Sequence, residues 1–175
     1  HKPPGYVTTM SDEQGRPCVL DLLADVSTRV YPVGRLDMYS EGLLLFTDDG
    51  ALANKLTHPS HSIPKIYMVK VRGALDQTDI KRLTAPMQLD GYTLRPIQAK
   101  LCKSGERDKG GNVYSLLKIT LYEGRNRQIR RMCEAAHLTV LRLRRISVGT
   151  LSLSDLPRGH WRPLTDEEIQ YLQNV

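Results

Sequence analysis

Residues 34–46 read GRLDMYSEGLLLF and place Asp37 between Arg35 and a Ser-Glu-Gly turn, immediately ahead of an apolar run. The apolar run, LLLFT at 43–47, predicts a buried strand. A carboxylate at the mouth of such a strand costs free energy unless another group compensates its charge. Asp37 is therefore the first candidate functional residue of the chain, and the strand behind it is expected to serve as a rigid mount.

Helix and strand patterns alternate irregularly on both sides of this stretch. Apolar residues at helical spacing predict helices over residues 19–26 and 51–58, and residues 75–83 are compatible with a further helix. Period-two alternation predicts strands in IYMVKVRG at 66–73, in residues 117–122 and in TVLRLRRISVG at 139–149. The polar, glycine-rich residues 102–112 predict a flexible hairpin loop. Because no regular βαβ rhythm is present, the sequence predicts the α+β class with a largely antiparallel sheet.

One further helix is predicted within GRNRQIRRMCEAAH, residues 124–137. Its apolar stripe consists of Ile129, Met132, Cys133 and Ala136, and its opposite face carries Arg127, Arg131 and Glu134. Arg130 falls on the border between these two faces. We expect its guanidinium to be half-buried and paired with a carboxylate.

The distribution of charge favours an anionic partner. The net charge is +6, and between Gly124 and Arg145 a single acid, Glu134, stands against seven arginines, at 125, 127, 130, 131, 142, 144 and 145. Arginine presents a planar fork of donors that suits phosphate, so the cluster predicts contact with an RNA or DNA backbone. A solvated basic face remains the alternative.

Several classes of protein do not fit the sequence. No apolar run approaches the roughly 18 to 20 residues that cross a bilayer, and the N-terminus lacks a signal core, so we expect a cytoplasmic protein without a membrane partner. The three cysteines contain no CxxC pair and predict reduced packing residues. We expect no metal, since His58 and His61 lack cysteine or acidic partners, and no cofactor, since GxGxxG and phosphate-loop motifs are absent.

A nucleophilic serine is also disfavoured. Ser40 and His58 would be the pair, but Ser40 follows Asp37 in a polar turn and lacks the GxSxG elbow. A role in capping or turn formation fits Ser40 better.

Seven stretches, in this order and spacing, resemble the RNA pseudouridine synthases of the branch that includes the RsuA and RluB types. They are KPPGYV at 2–7, GRPCVLDLL at 15–23, YPVGRLD at 31–37, LTHP at 56–59, KIYMVKVRG at 65–73, EGRNRQIRRM at 123–132 and GHWRPLTDEE at 159–168. GRLDMYSEGLLLFTDDG is similar to the catalytic-aspartate motif of that family. EGRNRQIRRM and GHWRPLT resemble the large-subunit RluB type more than the small-subunit RsuA type. His137 departs from the family pattern, because glycine is common after this helix.

The resemblance implies a pseudouridine synthase fold, with a mixed, mostly antiparallel central sheet, flanking helices and a catalytic cleft. It implies that the chain isomerises a specific uridine of ribosomal RNA, in the large subunit, without a cofactor. Such enzymes commonly carry a small RNA-binding domain ahead of the catalytic one, and we expect residues 1–175 to be the catalytic domain alone. We expect a monomer whose partner is structured ribosomal RNA.

The resemblance also implies roles for individual residues. Asp37 is the expected nucleophile, Arg130 the arginine that keeps it charged, and Tyr67 the ring that stacks on the flipped uracil. Arg35 is expected to help occupy the space that the base leaves. We expect the remaining RNA contacts from Arg125, Arg127, Gln128 and Arg131. Structural alternatives are a turn salt bridge between Arg35 and Glu41, and a sheet-packing role for Tyr67.

Three other functions stay open at this point. A small-subunit synthase of the RsuA type would share the same residues. A non-catalytic RNA-binding module would use the arginines but would have no need of Asp37, which repels phosphate. A glycosidase or nucleosidase would use an aspartate nucleophile but would release free base and normally needs a second acid.

Overall fold

The computed structural model describes residues 1–58 and 61–175 and divides the chain into two compact units. Unit one consists of His1–Ile63 and Arg145–Val175, and unit two is the continuous stretch Pro64–Arg144. Pro59, the last residue of the LTHP motif, lies outside the described residues.

Unit one contains short strands, a 3₁₀ helix and two α-helices. The 3₁₀ helix is Val19–Leu23, and the other elements are β1 (Tyr31–Val33), β2 (Glu41–Gly42), β3 (Leu45–Thr47), α1 (Gly50–Thr57), β10 (Leu151–Ser152) and α4 (Asp166–Asn174). Strands β1 and β3 pair antiparallel, with Val33 opposite Leu45. Both residues belong to a buried apolar cluster that also takes Leu56 from α1 and Leu172 from α4. This cluster holds the strand that follows the Asp37 turn.

Unit two is built on long antiparallel strands. Its elements are β4 (Lys65–Arg72), α2 (Gln77–Thr84), β5 (Gln88–Leu89), β6 (Tyr92–Thr93), β7 (Gln98–Arg107), β8 (Val113–Leu121), α3 (Gln128–Ala135) and the first part of β9 (Val140–Val148). The strand order is β9-β4-β8-β7, and β8 pairs antiparallel with both β4 and β7. Strand β9 ends in unit one, where β2 and β10 pair with it.

The predicted class is confirmed: helices and strands are mixed, and the sheet is mostly antiparallel. The predicted apolar stripe of α3 is also confirmed, because Ile129, Met132, Cys133 and Ala136 are buried. Within the described part of the chain, none of the helices is long and apolar enough to cross a membrane.

Two local predictions were wrong. The helix over 19–26 is a 3₁₀ helix that ends at Leu23. Residues 102–112 are mostly strand, because β7 continues to Arg107 with two register shifts, and β8 starts at Val113. The intervening turn is tight, since the Asp108 carboxylate accepts hydrogen bonds from the backbone N–H groups of Gly110 and Asn112 at 2.9 and 3.0 Å. Backbone pairing has overridden the turn propensity of the glycines.

Helix α3 ends in a geometry that favours glycine. His137 has φ of 60°, its N–H donates to the Glu134 carbonyl at 2.9 Å, and the Leu138 N–H donates to the Cys133 carbonyl at 2.7 Å. These two hydrogen bonds form a Schellman motif, whose left-handed residue is usually glycine. The side chain at 137 therefore strains the backbone.

We expect His137→Gly to stabilise the protein by about 1 kcal/mol, because glycine adopts this conformation without a Cβ penalty. Thermal unfolding should show a raised Tm. The matched control is Ala135→Gly, two residues earlier at the last position of α3, which should destabilise by a similar amount. A lowered Tm for His137→Gly would contradict this interpretation of the helix end.

Candidate active site

Asp37 lies in the turn between β1 and β2, and its carboxylate is fixed by three donors from the turn itself. Oδ1 accepts from the backbone N–H groups of Tyr39 and Ser40 at 3.0 and 2.9 Å, and Oδ2 accepts from the Ser40 hydroxyl at 2.7 Å. Such hydrogen bonds favour the charged form of a carboxyl group. Ser40 is 1% exposed and thus serves the turn, as the sequence predicted. The turn presents an oriented and partly exposed carboxylate.

The side chain of Lys2 binds the main-chain carbonyls of the same turn. Its side chain is buried, and Nζ donates to the carbonyls of Ser40 at 2.8 Å, Pro3 at 3.0 Å, Asp37 at 3.2 Å and Met38 at 3.3 Å. The backbone of Lys2 exchanges two hydrogen bonds of 2.9 Å with Gly42. The sequence pattern assigns Lys2 no role, because its partners in the turn, Asp37, Met38 and Ser40, are 35 or more residues away.

The surroundings of Lys2 act on its pKa in opposite directions. Burial lowers the pKa of the ammonium to about 8, and the negative charges of Asp37 and Glu41 act against that by raising it. The carbonyl oxygens compensate the desolvated ammonium with partial charges. Asp37 thus has a buried cation beneath its turn while its carboxylate is bonded to other groups.

Two further ionic groups fasten the segment after the turn. Glu41 is buried and pairs with Arg158 at 3.1 Å. Arg145 is also buried, and its Nε donates to the Leu43 carbonyl at 2.7 Å. Arg145 is one of the seven arginines predicted to contact an anionic backbone, and for this residue the prediction is wrong because the side chain is buried. Its guanidinium instead binds the backbone of unit one.

Arg35 is exposed at the opposite end of the GRLD segment. It lines a groove of 580 Å³ together with the polar side chains of Thr8, Thr9, Asn54 and Thr57. No hydrogen bond or ion pair joins Arg35 to another described residue, which excludes the turn salt bridge with Glu41 as its role. Tyr39 is also exposed, at 67%, and sequence reasoning did not single it out.

In unit two, Tyr67 is buried and Arg130 is half-buried. Tyr67 lies on the core side of β4, directly opposite Ile119 of β8, and is 8% exposed. Arg130 is partly buried on α3, as expected from the border of its helix. Its charge opposes the burial that raises the pKa of the Cys133 thiol to about 12. The pairing of Arg130 with Asp37 stays a prediction.

Of the other residues predicted to contact RNA, Gln128 is bonded to a buried carboxylate, that of Glu123. Gln128 is 3% exposed, donates to Glu123 at 2.8 Å and accepts from the Arg125 N–H at 3.1 Å. The Arg125 guanidinium lies 3.3 Å over the Tyr92 ring. Arg131 forms a fork with Asp90 at 2.8 and 2.7 Å. Arg127 is the N-cap residue that directly precedes α3; it has φ of 48° and is exposed.

These contacts order the segment before α3. The guanidinium groups of Arg125 and Arg131 are held in place by Tyr92 and Asp90, and each retains N–H groups at the surface. Within residues 1–58 and 61–175, no group of three or more His, Cys, Asp or Glu is placed to hold a metal ion.

Comparison with known proteins gives consistent results. The family model described as RNA pseudouridylate synthase matches residues 1–135. The ribosomal large subunit pseudouridine synthase B of Bacillus subtilis is 38% identical over 173 residues, covering 99% of this chain and 69% of the relative. That of Salmonella typhi is 41% identical over 178 residues, covering 100% and 59%. A crystal structure of a pseudouridylate synthase superposes with a TM-score of 0.84 at 27% identity, covering 98% of this chain and 70% of that chain.

We expect Lys2→Met to destabilise the protein by about 2 kcal/mol at pH 7, because it leaves buried carbonyls of the turn without donors. The folded pKa of Lys2, about 8, is below its ordinary value of 10.5, so the unfolded chain binds more protons between these two values. The stability of the wild type should therefore rise relative to Lys2→Met as the pH rises from 8 to 10.5. Chemical denaturation across that range measures both effects.

The control for this variant is Lys55→Met, which removes an ammonium that donates to the Gln173 carbonyl near the surface. It should cost much less stability at pH 7. Equal costs for the two variants would argue against a special role of Lys2 beneath the turn.

Proposed function

Because the chain belongs to the RNA pseudouridylate synthase family, we propose that it converts a uridine of large-subunit ribosomal RNA to pseudouridine. The observation that carries the proposal is the Asp37 carboxylate, oriented by three donors in a turn within the part of the chain that the family model matches. The chain spans 69% of the Bacillus subtilis relative and 59% of the Salmonella typhi relative, both named as large-subunit enzymes. We take residues 1–175 as the catalytic domain, acting as a cytoplasmic monomer.

The reaction is an isomerisation and needs no external reactant. The C1′–N1 bond of uridine breaks, a C1′–C5 bond forms, the proton on C5 leaves, and N1 gains a proton. We assign Asp37 as the nucleophile that assists the first step, either at the sugar or through another intermediate. An oriented carboxylate lowers the barrier because little reorganisation of the turn is needed when the bond forms.

Tyr67 and Arg130 are the proposed partners of Asp37. Burial on the core side of β4 fixes the Tyr67 ring. The proposal requires the flipped base to reach this ring, and stacking there would be worth roughly 1 to 3 kcal/mol. The half-buried guanidinium of Arg130 suits an ion pair that keeps the Asp37 carboxyl charged. In low dielectric, loss of either member of such a pair leaves an uncompensated charge.

RNA binding is proposed for four arginines of the family motifs, Arg35 in unit one and Arg125, Arg127 and Arg131 in unit two. Arg35 has no partner among the described residues that would have to be displaced, so its fork is free to enter the space vacated by the base. Arg125, Arg127 and Arg131 supply phosphate contacts from an ordered segment. Gln128 is proposed to act on RNA through that segment, since its amide orders the backbone of Arg125.

We expect Asp37→Asn to abolish conversion while leaving affinity for ribosomal RNA within a few-fold of wild type, because the amide keeps the turn's shape but is not a nucleophile. Tritium release from C5-labelled RNA measures conversion, and filter binding measures affinity. Asp48→Asn, a change at an exposed carboxylate in the same unit, should be active. Conversion by Asp37→Asn would favour a non-catalytic role for this residue, and free uracil in the wild-type reaction would favour a glycosidase.

We expect Ser40→Ala to lower kcat by about 10-fold with little change in KM, because it removes the hydroxyl bonded to Oδ2 and leaves both backbone donors to Oδ1 in place. Single-turnover and steady-state rates separate the two parameters. The matched control is Ser11→Ala at an exposed position, which should retain full activity. An unchanged kcat for Ser40→Ala would show that the hydroxyl does not orient the carboxylate for reaction.

A further inference from the structure

The sheet of unit two has one buried face and one open face. Val69 of β4 lies opposite Leu117 of β8, and both are fully buried. Because side chains alternate along a strand, the neighbouring pairs Met68–Lys118 and Lys70–Leu116 point to the other side. Lys118 is exposed, and the others are half-buried. The open face therefore remains accessible to solvent along β4, β8 and β7.

This open face carries a strong positive charge. Register places five cations on it, and we call them the basic face: Lys70, Arg72, Lys100, Lys103 and Lys118. Glu106 is the acid that the three strands contribute there. Four members, all except Lys70, form no ion pair with any residue of the described ranges. Lys70 pairs with Asp108 at 3.8 Å and lies 3.8 Å over the Tyr114 ring.

The basic face contains an electrostatic conflict. Lys100 of β7 and Lys118 of β8 are directly opposite one another, and like charges in that position destabilise a sheet by roughly 0.2 to 1 kcal/mol. A bound anion would relieve this repulsion. Lys100 and Lys118 lie on neighbouring strands about 5 Å apart, and Lys70 and Arg72 lie two positions apart along β4, about 7 Å. The positive charge is thus spread over the face instead of being concentrated in a single pocket.

The composition of the basic face determines what kind of anion fits. Met68, Leu116 and Thr120 lie between the cations, and the one aromatic ring that these strands place there, Tyr114, is covered by Lys70. Stacking of unpaired bases on this surface is thus disfavoured, whereas contacts with a phosphate backbone need only the cations. A sequence-independent contact with RNA matches these features.

Tyr67 points to the opposite side of β4 from Lys70. We propose that the basic face binds the phosphate backbone of a second segment of the RNA substrate, separate from the segment that carries the target uridine. This inference goes beyond the proposed function and depends on it for the identity of the RNA. It predicts that long ribosomal RNA fragments bind more tightly than a short stem-loop with the same uridine.

The decisive variant is Lys100→Glu, because it replaces a repulsive cross-strand pair with an attractive one. Thermal unfolding should show a Tm equal to or above that of wild type. Affinity for a long ribosomal RNA fragment should nevertheless fall about 3- to 10-fold, and the slope of log affinity against log salt should shrink by about one phosphate contact, roughly 0.7 to 0.9. Affinity for the short stem-loop should stay within twofold.

Lys81→Glu is the matched control, since it makes the same charge change at an exposed position on α2 that is not part of the basic face. It should alter the affinity for long RNA by less than twofold. Equal effects of the two variants, or no effect of Lys100→Glu on long RNA, would overturn the proposal. An equal loss on both RNA lengths would also overturn it, because the face would then serve the target segment.

These binding measurements do not require conversion of uridine. If wild-type protein fails to form pseudouridine, the proposed function fails, while filter binding of the long fragment still tests the basic face. If conversion occurs and Lys100→Glu binds long RNA as wild type does, only the second contact is rejected.

Discussion

The candidate site depends on a lysine ammonium that is buried beneath a turn and bonded to that turn's carbonyls. The ammonium of Lys2 fixes the main chain of Asp37, Met38 and Ser40, so the carboxylate of Asp37 is left to the donors above it. A carboxylate paired directly with that lysine would point inward. Lys2 binds the main chain of the turn, and other donors bind the Asp37 carboxylate. Because the two sets of partners are separate, the carboxylate is held in place and remains partly exposed.

Asp37 was identifiable from sequence because three donors that orient its carboxylate come from Tyr39 and Ser40, within three residues of it. Lys2 was not, because its role depends on hydrogen bonds to carbonyls that any residue would provide. Arg145 was misplaced for a related reason. The alternation of β9 describes Arg142 and Arg144, but the strand passes from one unit to the other after Arg144, and Arg145 is then buried against Leu43.

The elements of unit two were predicted well where burial on one face decided the structure, as in β4, β8 and α3. Prediction failed in residues 102–112, where the glycines favoured a loop but the partner strand β8 supplied enough backbone pairing to extend β7 to Arg107. Gln128 shows the same limit. The family resemblance implied a contact between its side chain and RNA, whereas the side chain is buried and donates to Glu123, five residues earlier.

Unit two is a continuous stretch of chain, and unit one is not. During synthesis, Pro64–Arg144 therefore leaves the ribosome complete, whereas the N-terminal segment that carries Asp37 must wait for Arg145–Val175. The Leu43 N–H donates to the Arg145 carbonyl at 2.8 Å, so the strand segment behind the Asp37 turn is completed by a residue that is translated about a hundred positions later. A nascent chain that stops before Arg145 thus lacks this backbone hydrogen bond behind the Asp37 turn.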